Sequence, residues 1–262
     1  MNRLRTIATR GDTPVLAMSI ATGALVALLI AGFEYLTDSV LLERLSHRPL
    51  WQIALAPAIG LLLATLILRW AGRGLGSATS DEFIRVYHER TPRLPLRDLP
   101  AKFLAGVATI GFGGALGLEG PSIYMGSTTG LAVHDRFRRW LRREDVRILL
   151  TAGAAAGVAA VFKAPATGVL FALEAPYRDD VTRRALIPSL LAAATSYVTY
   201  INIIGPDSVI PFLNDPESRL GLNLIDAPLF TEDGLVWIHR DQLSALFTGV
   251  KASDVLGAVL VG

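Results

Sequence analysis

The chain has no cysteine, which excludes disulfides, thiol catalysis and cysteine metal sites. Histidine is scarce. His47, His88, His134 and His239 are scattered over polar connectors without ligand spacing, so they read as exposed loop residues, and neither a metal nor a cofactor is expected. No Gly-rich phosphate loop ends in Gly-Lys-Ser/Thr, no His-Glu-x-x-His occurs, and there is no serine elbow, so the chain is not expected to be an enzyme. Charge is thin as well. The net charge of +2 is too small to argue for a nucleic-acid partner. Apolar surface takes the place of charge: hydrophobic residues make up 52% and charged residues 18%, with a mean hydropathy of +0.45, too apolar for a soluble domain of this length.

The apolar residues are gathered into runs. The first, 13–33, is long enough to cross a bilayer core of about 30 Å. It follows Arg3, Arg5 and Arg10, as a signal peptide would, but it is too long for a signal core and no clean cleavage site follows, so it reads as a retained anchor. Further runs occupy 49–68, 148–162, 164–173 and 185–206, of which only the first and last are long enough to span with little tilt. Charged connectors separate them at 43–48, 69–102, 134–147 and 178–184. The strongly basic stretch from Arg136 to Arg143 reads as a cytoplasmic, lipid-facing loop.

One carboxylate breaks this pattern. Glu119, in Gly117-Leu118-Glu119-Gly120-Pro121, is the single charge between residues 103 and 133. An ionisable group inside an apolar run is costly and marks a functional site by default. Gly111, Gly113, Gly114 and Gly117 interrupt a helix before it, and Gly120 and Pro121 suit the first turn of a new one. The pattern predicts a broken membrane helix whose positive end faces an anion; the alternative is a re-entrant turn with a paired structural glutamate. Small residues recur four apart at Gly113/Gly117, Gly126/Gly130 and Gly153/Gly157, a spacing that lets membrane helices approach closely.

The stretch Gly113-Gly114-Ala115-Leu116-Gly117-Leu118-Glu119-Gly120-Pro121-Ser122, continuing to Met125-Gly126, resembles the signature of the CLC family of chloride channels and proton/chloride antiporters. A second block, Ala154 to Pro165 with Phe162-Lys163-Ala164-Pro165, continuing through Gly168 to Glu174, is similar to that family's next conserved segment. The resemblance covers about 13–206. It implies that Glu119 is the gating glutamate, occupying an anion site when ionised and leaving it when protonated or displaced. Gly117, Leu118, Gly120, Pro121 and Ser122 would then surround the anion, which trades its water for N–H groups and dipoles.

Three departures from the family pattern bear on mechanism. Gly74-Leu75-Gly76-Ser77-Ala78-Thr79-Ser80 stands where the family has Gly-Ser-Gly-Ile-Pro, so Ser77 or Thr79 is the candidate hydroxyl at the anion; the other reading is a capping segment before a helix over 81–88. Where proton-coupled members carry two adjacent glutamates, this chain has Glu174-Ala175, and the inner proton-relay position, Ala175, cannot titrate. Glu174 reads as a structural helix-end carboxylate. Lys163 replaces the family's asparagine, with three readings open: attracting anions, snorkelling to the interface, or pairing with a carboxylate. Finally, the later family motifs do not occur before Gly262, so the sequence is expected to be a fragment or a truncated product.

The expectation is therefore an all-α, multi-pass membrane protein of CLC-type fold with short broken helices, the first of two inverted repeats, in a bacterial plasma membrane. Its parts are a cytoplasmic segment 1–12, a membrane domain 13–206, a polar extramembrane connector 207–254 and the start of a second half at 255–262. The leading function is passive, gated chloride transport by a voltage-gated CLC-type channel; the alternatives are proton/chloride antiport by a rewired proton route, or a non-conducting remnant. The expected partners are chloride or a similar small anion, membrane lipid, and a second copy in a homodimer.

Overall fold

The computed structural model describes residues 13–176, 183–205, 227–231 and 234–238. These fall into two units, one ending at Val209 and the other beginning at Ile210. The predicted segments 1–12 and 255–262 lie outside the described residues.

Among the described residues, the regular elements of the first unit are all helices. It opens with α1 (Thr13–Glu34), which passes into a π-helical stretch (Tyr35–Leu42) and the short α2 (Glu43–Ser46). Then come α3 (Leu50–Trp70), α4 (Ser80–His88) and α5 (Leu99–Gly111). After a non-helical break at 112–118 follow α6 (Glu119–Arg136), α7 (Asp145–Phe162), α8 (Pro165–Glu174) and α9 (Arg183–Ile204). Four segments among the described residues are long and apolar enough to cross a bilayer: Thr13–Ser46, Leu50–Trp70, Asp145–Phe162 and Arg184–Ile204. The third corrects the sequence reading, in which the apolar run 148–162 was too short to span with little tilt. Asp145 accepts a hydrogen bond from the Arg142 N–H (2.8 Å) and so extends the N-terminus. With 18 residues, the helix rises about 27 Å. On α3, Leu50, Trp51, Leu55, Leu62, Leu66 and Trp70 are exposed and form an apolar surface.

α7 is the centre of the packing. Its residues from Ile148 to Val161 are buried, and α6, α1, α8 and α9 surround it. The contact with α6 is backbone on backbone. A Cβ on Gly126 would overlap the carbonyl of Gly153, and one on Gly153 would overlap the carbonyl of Gly126. Gly130 faces the Leu149 carbonyl in the same way, and Gly157 faces that of Ser122. Two of the three small-residue pairs thus join helices. Gly113 and Gly117 do not: both sit in the break, where Gly113 adopts φ +81° and four-residue spacing has no helical meaning. Ser196 fastens α9 to α7 by donating to the Ala156 carbonyl (2.8 Å).

The turn between α6 and α7 carries the basic stretch. Phe137 and Trp140 stack there with centroids 5.6 Å apart, and Arg139 lies 4.6 Å from the Trp140 ring. His134 corrects the expectation of exposed histidines. It is buried in the last turn of α6, with Nε2 3.3 Å from the Arg142 carbonyl oxygen, because the turn folds back over it. His88 Nε2 lies 2.7 Å from the Pro176 carbonyl oxygen, and His239 is outside the described residues.

The second unit contains an antiparallel hairpin, β1 (Ala227–Thr231) with β2 (Gly234–Ile238), in the register Ala227↔Ile238 to Thr231↔Gly234. Leu235-Val236-Trp237-Ile238, inside the connector 207–254, belong to this second strand; aromatic and β-branched residues suit a pleated surface.

Gly153→Ala is expected to lower stability in detergent by about 1–3 kcal/mol, because backbone atoms of α6 must move to admit the methyl group. Gly32→Ala, with nothing within 4 Å of the added carbon, is the control. It should leave stability unchanged or raise it by about 0.5–1 kcal/mol. Thermal unfolding of both variants checks this, and equal midpoints would show that the α6–α7 contact carries no such constraint.

Candidate functional site

The break at 112–118 ends at the first turn of α6. The helical ladder starts with the Ser122 N–H donating to the Leu118 carbonyl (3.0 Å), so the N–H groups of Glu119 and Gly120 precede it and have no helical acceptor. Pro121 has no N–H to leave unpaired. Glu119 places its carboxylate in the first turn, where the helix dipole favours negative charge.

A cavity of about 440 Å³ lies beside this turn. Gly117, Gly120 and Pro121 line it from α6 and the break, Gly76, Ser77 and Thr79 from the segment before α4, and Lys102, Gly106 and Thr109 from α5; Leu61, Thr65 and Leu68 of α3 close the remaining wall. Two helix N-termini therefore meet at one space, those of α4 and α6. They approach so closely that a Cβ on Gly120 would overlap the Thr79 hydroxyl and stand 3.5 Å from the Ser80 hydroxyl. Thr79 occupies the N-cap position of α4, yet its side chain makes no capping hydrogen bond. The capping alternative for this segment therefore lacks its side-chain bond, and Ser77 and Thr79 both face the cavity.

Glu119 lies elsewhere. It lines a separate cavity of about 220 Å³ with Val158, Phe162, Thr167 and Phe171, between α6, α7 and α8. Leu118 is half-buried and packs on the core containing Val26, Ile30 and Phe33. Ser122 is fully buried, and its hydroxyl donates to the Glu119 carbonyl (2.8 Å), which turns it into its own helix. Of the candidate residues, then, Ser77, Gly117, Gly120 and Pro121 come together at the larger cavity, while Glu119 sits on the other side of the same helix start. Ala175 is half-buried at the C-cap of α8, and Glu174, the last residue of that helix, is exposed.

Lys163 closes α7 in a left-handed conformation (φ 52°, ψ 31°). Its ammonium lies 5.9 Å from the Tyr200 ring centroid and within electrostatic reach of Glu34. Sequence reasoning missed Lys102. It ends a charged connector in the sequence, but in the structure it is a buried residue of α5 that lines the larger cavity and pairs with Glu82 of α4.

Residues 59–231 match the family described as voltage gated chloride channel. The H(+)/Cl(-) exchange transporter ClcA of Vibrio cholerae is 33% identical over 279 residues, taking in 94% of this chain and 58% of the relative. ClcA of Yersinia pseudotuberculosis is 30% identical over 281 residues, covering 99% of this chain and 57% of that protein. Among solved structures, a slow cyanobacterial Cl-/H+ antiporter superposes with a TM-score of 0.62 at 27% identity, over 75% of this chain and 48% of that one. A CLC-type fluoride/proton antiporter gives 0.60 at 28%, over 74% and 48%. The chain thus spans about half the length of the relatives it matches.

These relatives correct the expectation of a passive channel, since each carries the name of a proton-coupled exchanger. That expectation rested on Ala175, and the structure shows the weakness of the inference. Thr167 and Phe171 line the cavity of Glu119, whereas Ala175 stands beyond the far end of α8, about 6 Å along the axis from Phe171. With its signature on a broken helix, its apolar spans and its match over 59–231, the chain is an integral membrane protein of the voltage gated chloride channel, or CLC, family.

Proposed function

We propose that the protein carrying this chain exchanges protons for chloride or a similarly small anion, with Glu119 as the gating and proton-accepting carboxylate. One observation carries the reading: the N-termini of α4 and α6 converge on a single cavity, with Glu119 at the same helix start facing a second one. N–H groups without a helical acceptor and aligned dipoles favour an anion in the first. In this reading the carboxylate on the first turn of α6 swings between its own cavity and those donors, and protonation ends its competition with the anion. In this way one residue couples proton and anion. The hydroxyls of Ser77 and Thr79 complete the donor set, while Gly117, Gly120 and Pro121 keep the wall free of bulk.

The hairpin of the second unit belongs to the connector 207–254, which we assign to the space outside the bilayer. A two-stranded ladder leaves backbone groups unpaired along both edges, which hydrocarbon does not tolerate. The exposed apolar residues of α3 face lipid, and pairing of two copies, expected from the family resemblance, belongs to the same proposal.

In proteoliposomes holding the protein, an imposed chloride gradient is expected to drive protons uphill, read by a pH electrode in the outer solution. Chloride flux without any proton movement would defeat the exchange reading. Glu119→Gln is expected to abolish the proton movement while chloride still passes and loses its pH dependence. If the variant keeps wild-type proton pumping, the carboxylate is not the coupling group.

A further inference from the structure

Among the described residues, the only charged side chain on the wall of the larger cavity is that of Lys102. It is 5% exposed, and three groups hold it: the Glu82 carboxylate, the Ala78 carbonyl oxygen, and the face of Tyr124, whose centroid lies 4.1 Å away. A buried ammonium is sustained only when paired and hydrogen-bonded. Glu82 provides the pairing, yet it is not among the residues that line the cavity. The pair is therefore polarised, with its positive end on the cavity and its negative end behind, against α4, where Arg85 also approaches Glu82 at 3.4 Å.

We infer that Lys102 and Glu82 together set the anion affinity of this cavity: Lys102 supplies the attraction, and Glu82 fixes how much of it an anion feels. The inference rests on the anion site proposed above and adds two residues to it. Lys102 also acts on position. Its bond to the Ala78 carbonyl holds the segment between Ser77 and Thr79, both of which line the cavity. A purely structural ion pair and an electrostatic one differ in one respect. Breaking a structural pair from either side harms the site, whereas removing the negative partner of an electrostatic pair improves it for an anion.

The test is calorimetric titration of the full chain in detergent with chloride, comparing the unsubstituted protein, Lys102→Gln, Glu82→Gln and the double variant. Lys102→Gln is expected to weaken binding about tenfold, the order for one unit charge several ångströms away at intermediate dielectric. Glu82→Gln keeps a hydrogen-bond acceptor beside the ammonium and is expected to tighten binding severalfold. The double variant should bind more tightly than Lys102→Gln alone, because it also removes the Glu82 charge that opposes an anion. Glu82→Gln binding no tighter than the unsubstituted chain overturns the inference, and that single variant decides it even if Lys102→Gln fails to fold. No binding by the unsubstituted chain overturns the anion site itself, an outcome distinct from the first.

Discussion

The backbone contact between α6 and α7 is the constraint on which the site depends. In lipid, helices gain little from burying apolar surface and associate through close packing. Gly126 and Gly153 bring the two chains together at a distance that no side chain would permit. Gly157 against the Ser122 carbonyl extends this contact to the first turn of α6, one turn from Glu119. The glycines near the middle of the helix therefore fix where its charged beginning stands. Because α7 is enclosed by α1, α8 and α9 as well, it serves as the reference to which the others are set.

α4 reaches the same place by different means. It is short and carries polar residues, and its two ends are held by charges. At its C-terminal end, Arg147 of α7 donates to the carbonyls of Tyr87 (3.0 Å) and Glu89 (2.9 Å), which otherwise lack helical donors. At its start, Lys102 of α5 holds Ala78 and Glu82. Both cations come from neighbouring helices, so α4 is suspended between α7 and α5 with its positive end aimed at Gly120. Small residues set α6, and salt-bridge chemistry sets α4.

Much of this was legible in the sequence, and the physical reasons explain which parts were not. The break before Glu119 could be read because glycine and proline act locally: Gly113 at φ +81° ends one helix, and Pro121 fits only near the start of another. The Gly126/Gly130 and Gly153/Gly157 pairs could be read because their spacing is itself a packing signal. Gly113/Gly117 failed because that signal assumes an intact helix. Charged residues next to apolar runs were misread most. Lys102, Asp145 and Arg147 looked like the edges of connectors, whereas each makes a hydrogen bond that anchors a helix end. A sequence shows that a charge is present, but its partner lies 20 residues away for Lys102 and 58 or more for Arg147, a distance no local pattern spans.

The same limit explains the misreading of Ala175. A missing carboxylate is visible in sequence as a missing function, because sequence compares positions. Coupling depends instead on whether one group answers to both ions. Glu119 meets that condition within the proposed mechanism, since it stands on the helix start whose free N–H groups an anion would use and faces a cavity bounded by Phe162 and Phe171. Within that mechanism, an arriving anion and an arriving proton act on the same residue.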